Sequence, residues 1–139
     1  MKYLLILSCL LFSSVGWSKT INSADLIISK QDGLFYEKFT DVPVSGNVTG
    51  ERQGKISKGK REGGWLFYYE SGQLERKVNY KDGKREGERL NYWDNGQLRS
   101  KSNFKDGRKE GVRLIYHKNG QLIKKSIYKD GELIKTIKP

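Results

Sequence analysis

The apolar positions of this chain come in short bursts separated by polar, glycine-centred turns. Runs rich in Tyr, Trp, Leu and Ile alternate with these turns at a spacing too tight for helices, which predicts β-hairpins. The pattern also repeats. Gly59-Lys60-Arg61-Glu62-Gly63 returns as Gly83-Lys84-Arg85-Glu86-Gly87 and as Gly107-Arg108-Lys109-Glu110-Gly111, at a spacing of 24 residues. Glu70-Ser71-Gly72-Gln73-Leu74 returns at the same interval as Asp94-Asn95-Gly96-Gln97-Leu98 and Lys118-Asn119-Gly120-Gln121-Leu122. Between them recur Leu66, Leu90 and Leu114, then Tyr68, Tyr92 and Tyr116, then Tyr80, Phe104 and Tyr128. The expected fold is all-β: a meander of repeated antiparallel β-hairpins forming a single elongated, twisted sheet. Its 24-residue units are 59–82, 83–106 and 107–130, with a final strand in 131–139.

The turns suggest a register. A three-residue loop Asp94-Asn95-Gly96, with Gly96 left-handed, places Trp93 opposite Gln97 and Tyr92 opposite Leu98. Even-numbered positions are then expected to share the core face. These are Leu66, Tyr68, Leu74, Val78 and Tyr80, with Leu90, Tyr92, Leu98 and Phe104. A two-residue Asn-Gly turn would divide these residues between faces. The odd face mixes Trp65, Phe67, Tyr69, Trp93, Ile115, His117 and Ile123 with Lys77, Lys101, Lys125, Arg89, Arg99 and Arg113. It reads either as a partly solvated sheet face or as a partner-binding surface of aromatic anchors ringed by cations. The candidate partner-binding residues are Trp65, Phe67, Tyr69, Trp93, His117, Lys77, Lys101, Lys125, Arg89 and Arg113.

Residues 32–58 read as lead-in strands capping the array. Residues 34–39 alternate apolar and polar side chains, Asp41-Val42-Pro43 is a turn, and 44–49 and 55–57 are extended. At the other end 133–137 is a last strand whose edge Lys135, Lys138 and Pro139 blunt. Residues 19–31 are expected to form an N-terminal arm, as a short helix or a loose segment. Residues 1–18 carry the layout of a secretory signal peptide. Lys2 precedes an apolar stretch at 4–12, and Gly16 and Ser18 are small residues placed for cleavage before Lys19. The stretch is shorter than the ~20 residues that span a bilayer. Bulky Leu7 argues against lipoprotein anchoring at Cys9. The expected location is the periplasm or the exterior. Cleavage would remove Cys9, the one cysteine, so no disulfide or thiol chemistry is expected in the mature chain.

Charge adds a constraint. The 139 residues carry 27 basic and 16 acidic side chains, a formal charge of +11. The whole excess lies in 54–139, with 22 basic and 11 acidic side chains. Its dispersal over every repeat, and 19 Lys against 8 Arg, argue against nucleic acid and favour acidic partners or anionic surfaces. Catalytic chemistry finds little support. His117 is the single histidine, and it occupies the repeat position of Tyr69 and Trp93. Metal and cofactor sites lack their ligands. Gly50-Glu51-Arg52-Gln53-Gly54-Lys55-Ile56 is one residue short of a phosphate loop and has Ile56 where a hydroxyl must hold magnesium. Glu62, Glu86 and Glu110 each follow two cations and read as local charge compensation. A non-enzyme without catalytic, metal or cofactor residues is expected.

The Gly-Lys-Arg-Glu-Gly connector, the recurring Tyr and the Asn-Gly-Gln-Leu turn together resemble the variant MORN repeat. With the segment from Asp32 to Pro43 ahead of them, the arrangement resembles the YwqK-family antitoxins over residues 32–131. The resemblance implies a binding protein that neutralises a toxin by protein–protein contact. Combined with an export signal, it implies an immunity protein meeting an incoming toxin in the periplasm. Other MORN proteins imply an alternative, an envelope scaffold on anionic lipid head groups.

Overall fold

Two kinds of turn, each with its own chemistry, fold the chain back on itself. The computed structural model describes residues 18–139, so the expected leader lies outside the described residues except for Ser18. In chain order the strands are β1 (Thr20–Asn22), β2 (Leu26–Ile28), β3 (Phe35–Glu37), β4 (Gly46–Thr49), β5 (Arg52–Ser57), β6 (Lys60–Tyr68) and β7 (Leu74–Lys81). They continue with β8 (Lys84–Tyr92), β9 (Leu98–Lys105), β10 (Arg108–Lys109), β11 (Gly111–Tyr116), β12 (Leu122–Lys129) and β13 (Glu132–Ile137). Eleven of them form one sheet in the order β1-β4-β5-β6-β7-β8-β9-β11-β12-β13, with β10 paired to β9, while β2 and β3 form a separate ribbon. The meander of hairpins expected from the repeat is the fold. The segment 19–31 is no loose arm, and its helix is a single 3-10 turn at Ser23–Asp25 between two strands: β1 pairs in parallel with β4, and β2 pairs with β3. Asn22 caps that turn by accepting from the Ala24 N–H at 2.9 Å.

Asp82-Gly83, Asp106-Gly107 and Asp130-Gly131 make two-residue hairpins with both residues left-handed, φ 48° and 79° in the first of them. The second turn is the three-residue loop. Gly96 takes φ 82°, the Trp93 N–H donates to the Gln97 carbonyl at 2.8 Å, and Tyr92 faces Leu98. One residue further the register slips. Asn91 faces Ser100, so Arg99 has no partner and the bulge exchanges odd for even. The same slip leaves Glu75 unpaired in the first repeat and Ile123 in the third.

The bulge overturns the expected division of faces. Cross-strand rows show how. One row runs Leu66–Lys77–Leu90–Lys101–Leu114–Lys125, alternating leucine and lysine across six strands. On the other face run Trp65–Val78–Arg89–Ser102 and Phe67–Arg76–Asn91–Ser100–Ile115. The expected even-numbered core holds on β7 and β9, where Val78 and Phe104 are buried and Tyr80 packs against the cluster, and fails on β6 and β8. Leu66, Tyr68, Leu90 and Tyr92 are half-buried on the outer face, where neighbouring lysine stems flank the leucines. Trp65 (1% exposed), Phe67 and Val78 are buried on the inner face.

The ribbon end of the molecule covers that inner face. Phe35 and Val44 join Ile21, Val48, Ile56, Trp65, Phe67 and Val78 in one apolar cluster, with Leu26 and Tyr80 against it. Gly54 is required here, because a Cβ would lie 2.4 Å from the Trp65 ring. The indole N–H donates to the Lys55 carbonyl at 3.1 Å. Arg61 closes the cluster, its guanidinium 4.7 Å from the Phe35 ring centre and 4.9 Å from that of Trp65. Burial pushes its pKa below the ordinary guanidinium value, partly opposed by the Tyr80 hydroxyl.

The Gly-Lys-Arg-Glu-Gly connector braces the far end of its own repeat, at the turn that leads into the next. Its glutamates do more than balance charge. Glu62, Glu86 and Glu110 accept from the N–H groups of Asp82, Asp106 and Asp130, each at 2.8 Å. Arg61, Arg85 and Lys109 lie over the rings of Tyr80, Phe104 and Tyr128 at 5.3, 5.3 and 4.8 Å. Glu86→Ala is expected to cost about 1 kcal/mol by freeing one turn N–H in an exposed setting, with Glu86→Gln recovering most of it. The urea midpoints of the two variants measure this.

Candidate functional site

The apolar cluster under the ribbon extends as far as Val78 on β7, and beyond it, buried Phe104 apart, the inner face changes character. Position 65 is Trp in the first repeat and arginine at 89 and 113. Position 78 is Val in the first repeat and serine at 102 and 126. Ser100, Ser102 and Ser126 are buried all the same. In the register Ser102 lies opposite Arg89 and Ser126 opposite Arg113, so long side chains stand over short ones.

There a concave pocket of about 220 Å³ is lined by Glu75, Arg76, Arg89, Asn91, Arg99, Ser100 and Arg113. The lining comes from β7, β8, β9 and β11, four strands held in one ladder. The bulge contributes directly. By admitting an unpaired residue it lets two consecutive side chains, Arg99 and Ser100, line the pocket, as Glu75 and Arg76 do one repeat earlier.

The hydrogen bonds in the pocket run in one direction. Arg89 donates from Nε and Nη2 to Asn91 Oδ1 at 3.2 and 3.1 Å, and Asn91 Nδ2 donates to Ser100 Oγ at 2.8 Å. Arg76 stacks on Phe67 at 4.2 Å and its Nε is buried with no hydrogen-bond partner. Glu75 Oε1 is 3.9 Å from Arg76 Nη2, a rim contact rather than a hydrogen bond. Arg99 stacks on Trp93 at 4.5 Å. Among the described residues no carboxylate forms an ion pair with Arg89, Arg99 or Arg113. Burial, followed by the like charges of Arg85 and Arg76, pushes the Arg89 pKa down. Next to the pocket, the approach of the Arg113 guanidinium, with Lys109 and Lys124 beyond it, holds the Tyr128 hydroxyl below the ordinary phenol value, and partial burial opposes this. The arrangement is a cluster of four arginines faced by a single carboxylate, Glu75.

The structure divides the ten candidate partner-binding residues into four groups. Arg89 and Arg113 line the pocket together. Trp65 and Phe67 share their face but are buried in the core, so they offer no anchors. Tyr69 and Trp93 sit at the loop mouths and tether repeats: the Tyr69 hydroxyl donates to the Tyr92 carbonyl at 2.8 Å, and Trp93 Nε1 to the Tyr116 carbonyl at 3.2 Å. His117, exposed at the equivalent position, accepts within its own loop from the Asn119 N–H at 3.4 Å. Lys77, Lys101 and Lys125 lie on the opposite face, where Lys101 pairs with Glu88 at 2.6 Å. Sequence reasoning passed over Arg76, Asn91 and Ser100, and it did not single out Arg99. Among the described residues no group of three or more His, Cys, Asp and Glu is placed to hold a metal ion.

Residues 61–82, 85–106 and 109–130 each match the family model described as the MORN repeat variant. The chain is a MORN-repeat protein. No curated protein matches its sequence. The matched stretches begin at the connector arginine or lysine and end at the aspartate before the turn glycine, so each MORN repeat is one long hairpin with the contacts that close its two ends together. The pocket spans all three MORN repeats, with Arg76 from the first, Arg89 and Arg99 from the second and Arg113 from the third.

Proposed function

We propose that this MORN-repeat protein is an exported, non-catalytic binding protein of the antitoxin or immunity type, which neutralises an acidic protein toxin by contact. The observation that carries the reading is the set of uncompensated arginines on the inner face beyond the ribbon. Arginine forks on neighbouring strands hold carboxylates bidentately, and a partner that supplies those carboxylates relieves the mutual repulsion of the cations. The leader-like segment at 1–18 supports export, and the likeness of the repeats and their lead-in to the YwqK-family antitoxins supports the class of partner. The protein needs no catalytic group for this role, since blocking requires affinity and placement alone.

Co-expression with a toxin encoded beside it tests the reading. Relief of growth inhibition is expected, with co-elution of the purified pair that weakens steeply as salt rises. Unrelieved inhibition together with separate elution would overturn it.

A further inference from the structure

We propose that the arginine pocket of the free protein binds a multiply charged oxyanion of the phosphoryl class, such as pyrophosphate or a phosphate monoester. The first reason is the one-sided hydrogen bonding. Asn91 Oδ1 is occupied by Arg89, and Ser100 Oγ already accepts from Asn91. The Ser100 hydroxyl hydrogen therefore remains to be given away, on a residue 7% exposed. Arg76 Nε is a second buried donor without an acceptor. Every unsatisfied group in the lining other than Glu75 is a donor, so the fitting ligand is one that only accepts.

Charge and shape narrow the class. Four guanidinium groups face one carboxylate at the rim, so a single negative charge leaves the cluster strongly cationic. The space of about 220 Å³ exceeds what a lone halide or carboxylate fills. The donors stand on four neighbouring strands of one sheet, β7, β8, β9 and β11. A phosphoryl group brings close to two negative charges and three acceptor oxygens, whereas a carboxylate brings one charge and two oxygens. Because the groups stand on a continuous β-ladder, the site needs little ordering before the ligand arrives.

The inference uses the same arginines as the proposed partner face but does not depend on the partner. A bound oxyanion and an acidic toxin would exclude one another. Calorimetric titration of the isolated protein with sodium pyrophosphate, in phosphate- and sulfate-free buffer at fixed ionic strength, tests it. Saturable one-to-one binding is expected, weakened at least about tenfold by Arg89→Gln and by Arg113→Gln and unchanged by Lys77→Gln on the opposite face. Exposed Arg99→Gln is the second variant should either of the others fail to melt cooperatively. Vesicles containing phosphatidic acid separate the two sources of the group. Sedimentation with them that pyrophosphate competes away assigns a lipid head group, and pyrophosphate binding without sedimentation assigns a soluble ligand. No saturable heat, or equal loss in the Arg89 and Lys77 variants, overturns the proposal whatever the outcome with a toxin. Conversely, failure to neutralise a toxin leaves a saturable pyrophosphate site standing.

Discussion

Trp65→Ala is expected to remove about 3–5 kcal/mol of stability, the range for deleting a large buried aromatic. Domains of this kind are stable by about 5–15 kcal/mol in total, so the variant will be largely unfolded under mild denaturant. The loss has three parts. The indole fills the centre of the cluster formed with Phe35, Ile56, Phe67 and Val78. It covers Gly54, whose backbone has no side chain to replace it, and it satisfies the Lys55 carbonyl. It also supports the Arg61 guanidinium, which would be left half-buried over a void. Leu90→Ala on the outer face is expected to cost about 1–2 kcal/mol, because Leu90 is half-buried. Urea denaturation of the two variants, at unchanged slope, measures the contrast. A larger loss for Leu90→Ala than for Trp65→Ala would mean that the inner and outer faces have been exchanged.

That contrast shows where the sequence was legible. The 24-residue period, the Asp-Gly and Asn-Gly turns and the pairing of Tyr92 with Leu98 could all be read from glycine positions and recurrence, because turn geometry is local. The faces could not, because parity depends on the bulge at Arg99, and no residue type marks a bulge of this kind. Recurrence then misled. Leu66, Leu90 and Leu114 recur because the outer row of leucine and lysine is the same in every repeat, not because it is the core. The signal for the core and for the pocket was divergence. Trp65, Arg89 and Arg113 occupy one repeat position, and Val78, Ser102 and Ser126 another. A face that turns from apolar to cationic along an array is covered at one end and open at the other. The ribbon was half visible, since β3 coincides with an alternating segment; in the main sheet, β1 was not, being a three-residue strand whose pairing with β4 is parallel and remote. Such pairings leave no local pattern.

The proposed grip on an acidic partner by the open inner face, and not the outer one, can be tested directly. The two faces can be reversed in charge independently, because Arg89 and Arg113 lie on one and Lys77 and Lys125 on the other. Each close guanidinium–carboxylate contact that is lost and replaced by repulsion costs about 1.5–3 kcal/mol, so the double variant Arg89→Glu/Arg113→Glu should bind the partner at least about 100-fold more weakly. Lys77→Glu/Lys125→Glu changes net charge by the same amount and therefore controls for long-range attraction. It should weaken binding less than about tenfold, mainly through the association rate. Neither pair lies in the buried cluster, so both proteins are expected to keep the wild-type circular dichroism and melting transition. Titration calorimetry of wild type and both double variants against the same neutralised toxin is the deciding measurement. A loss confined to the arginine pair is the predicted result, and equal losses, or a larger loss for the lysine pair, would contradict it.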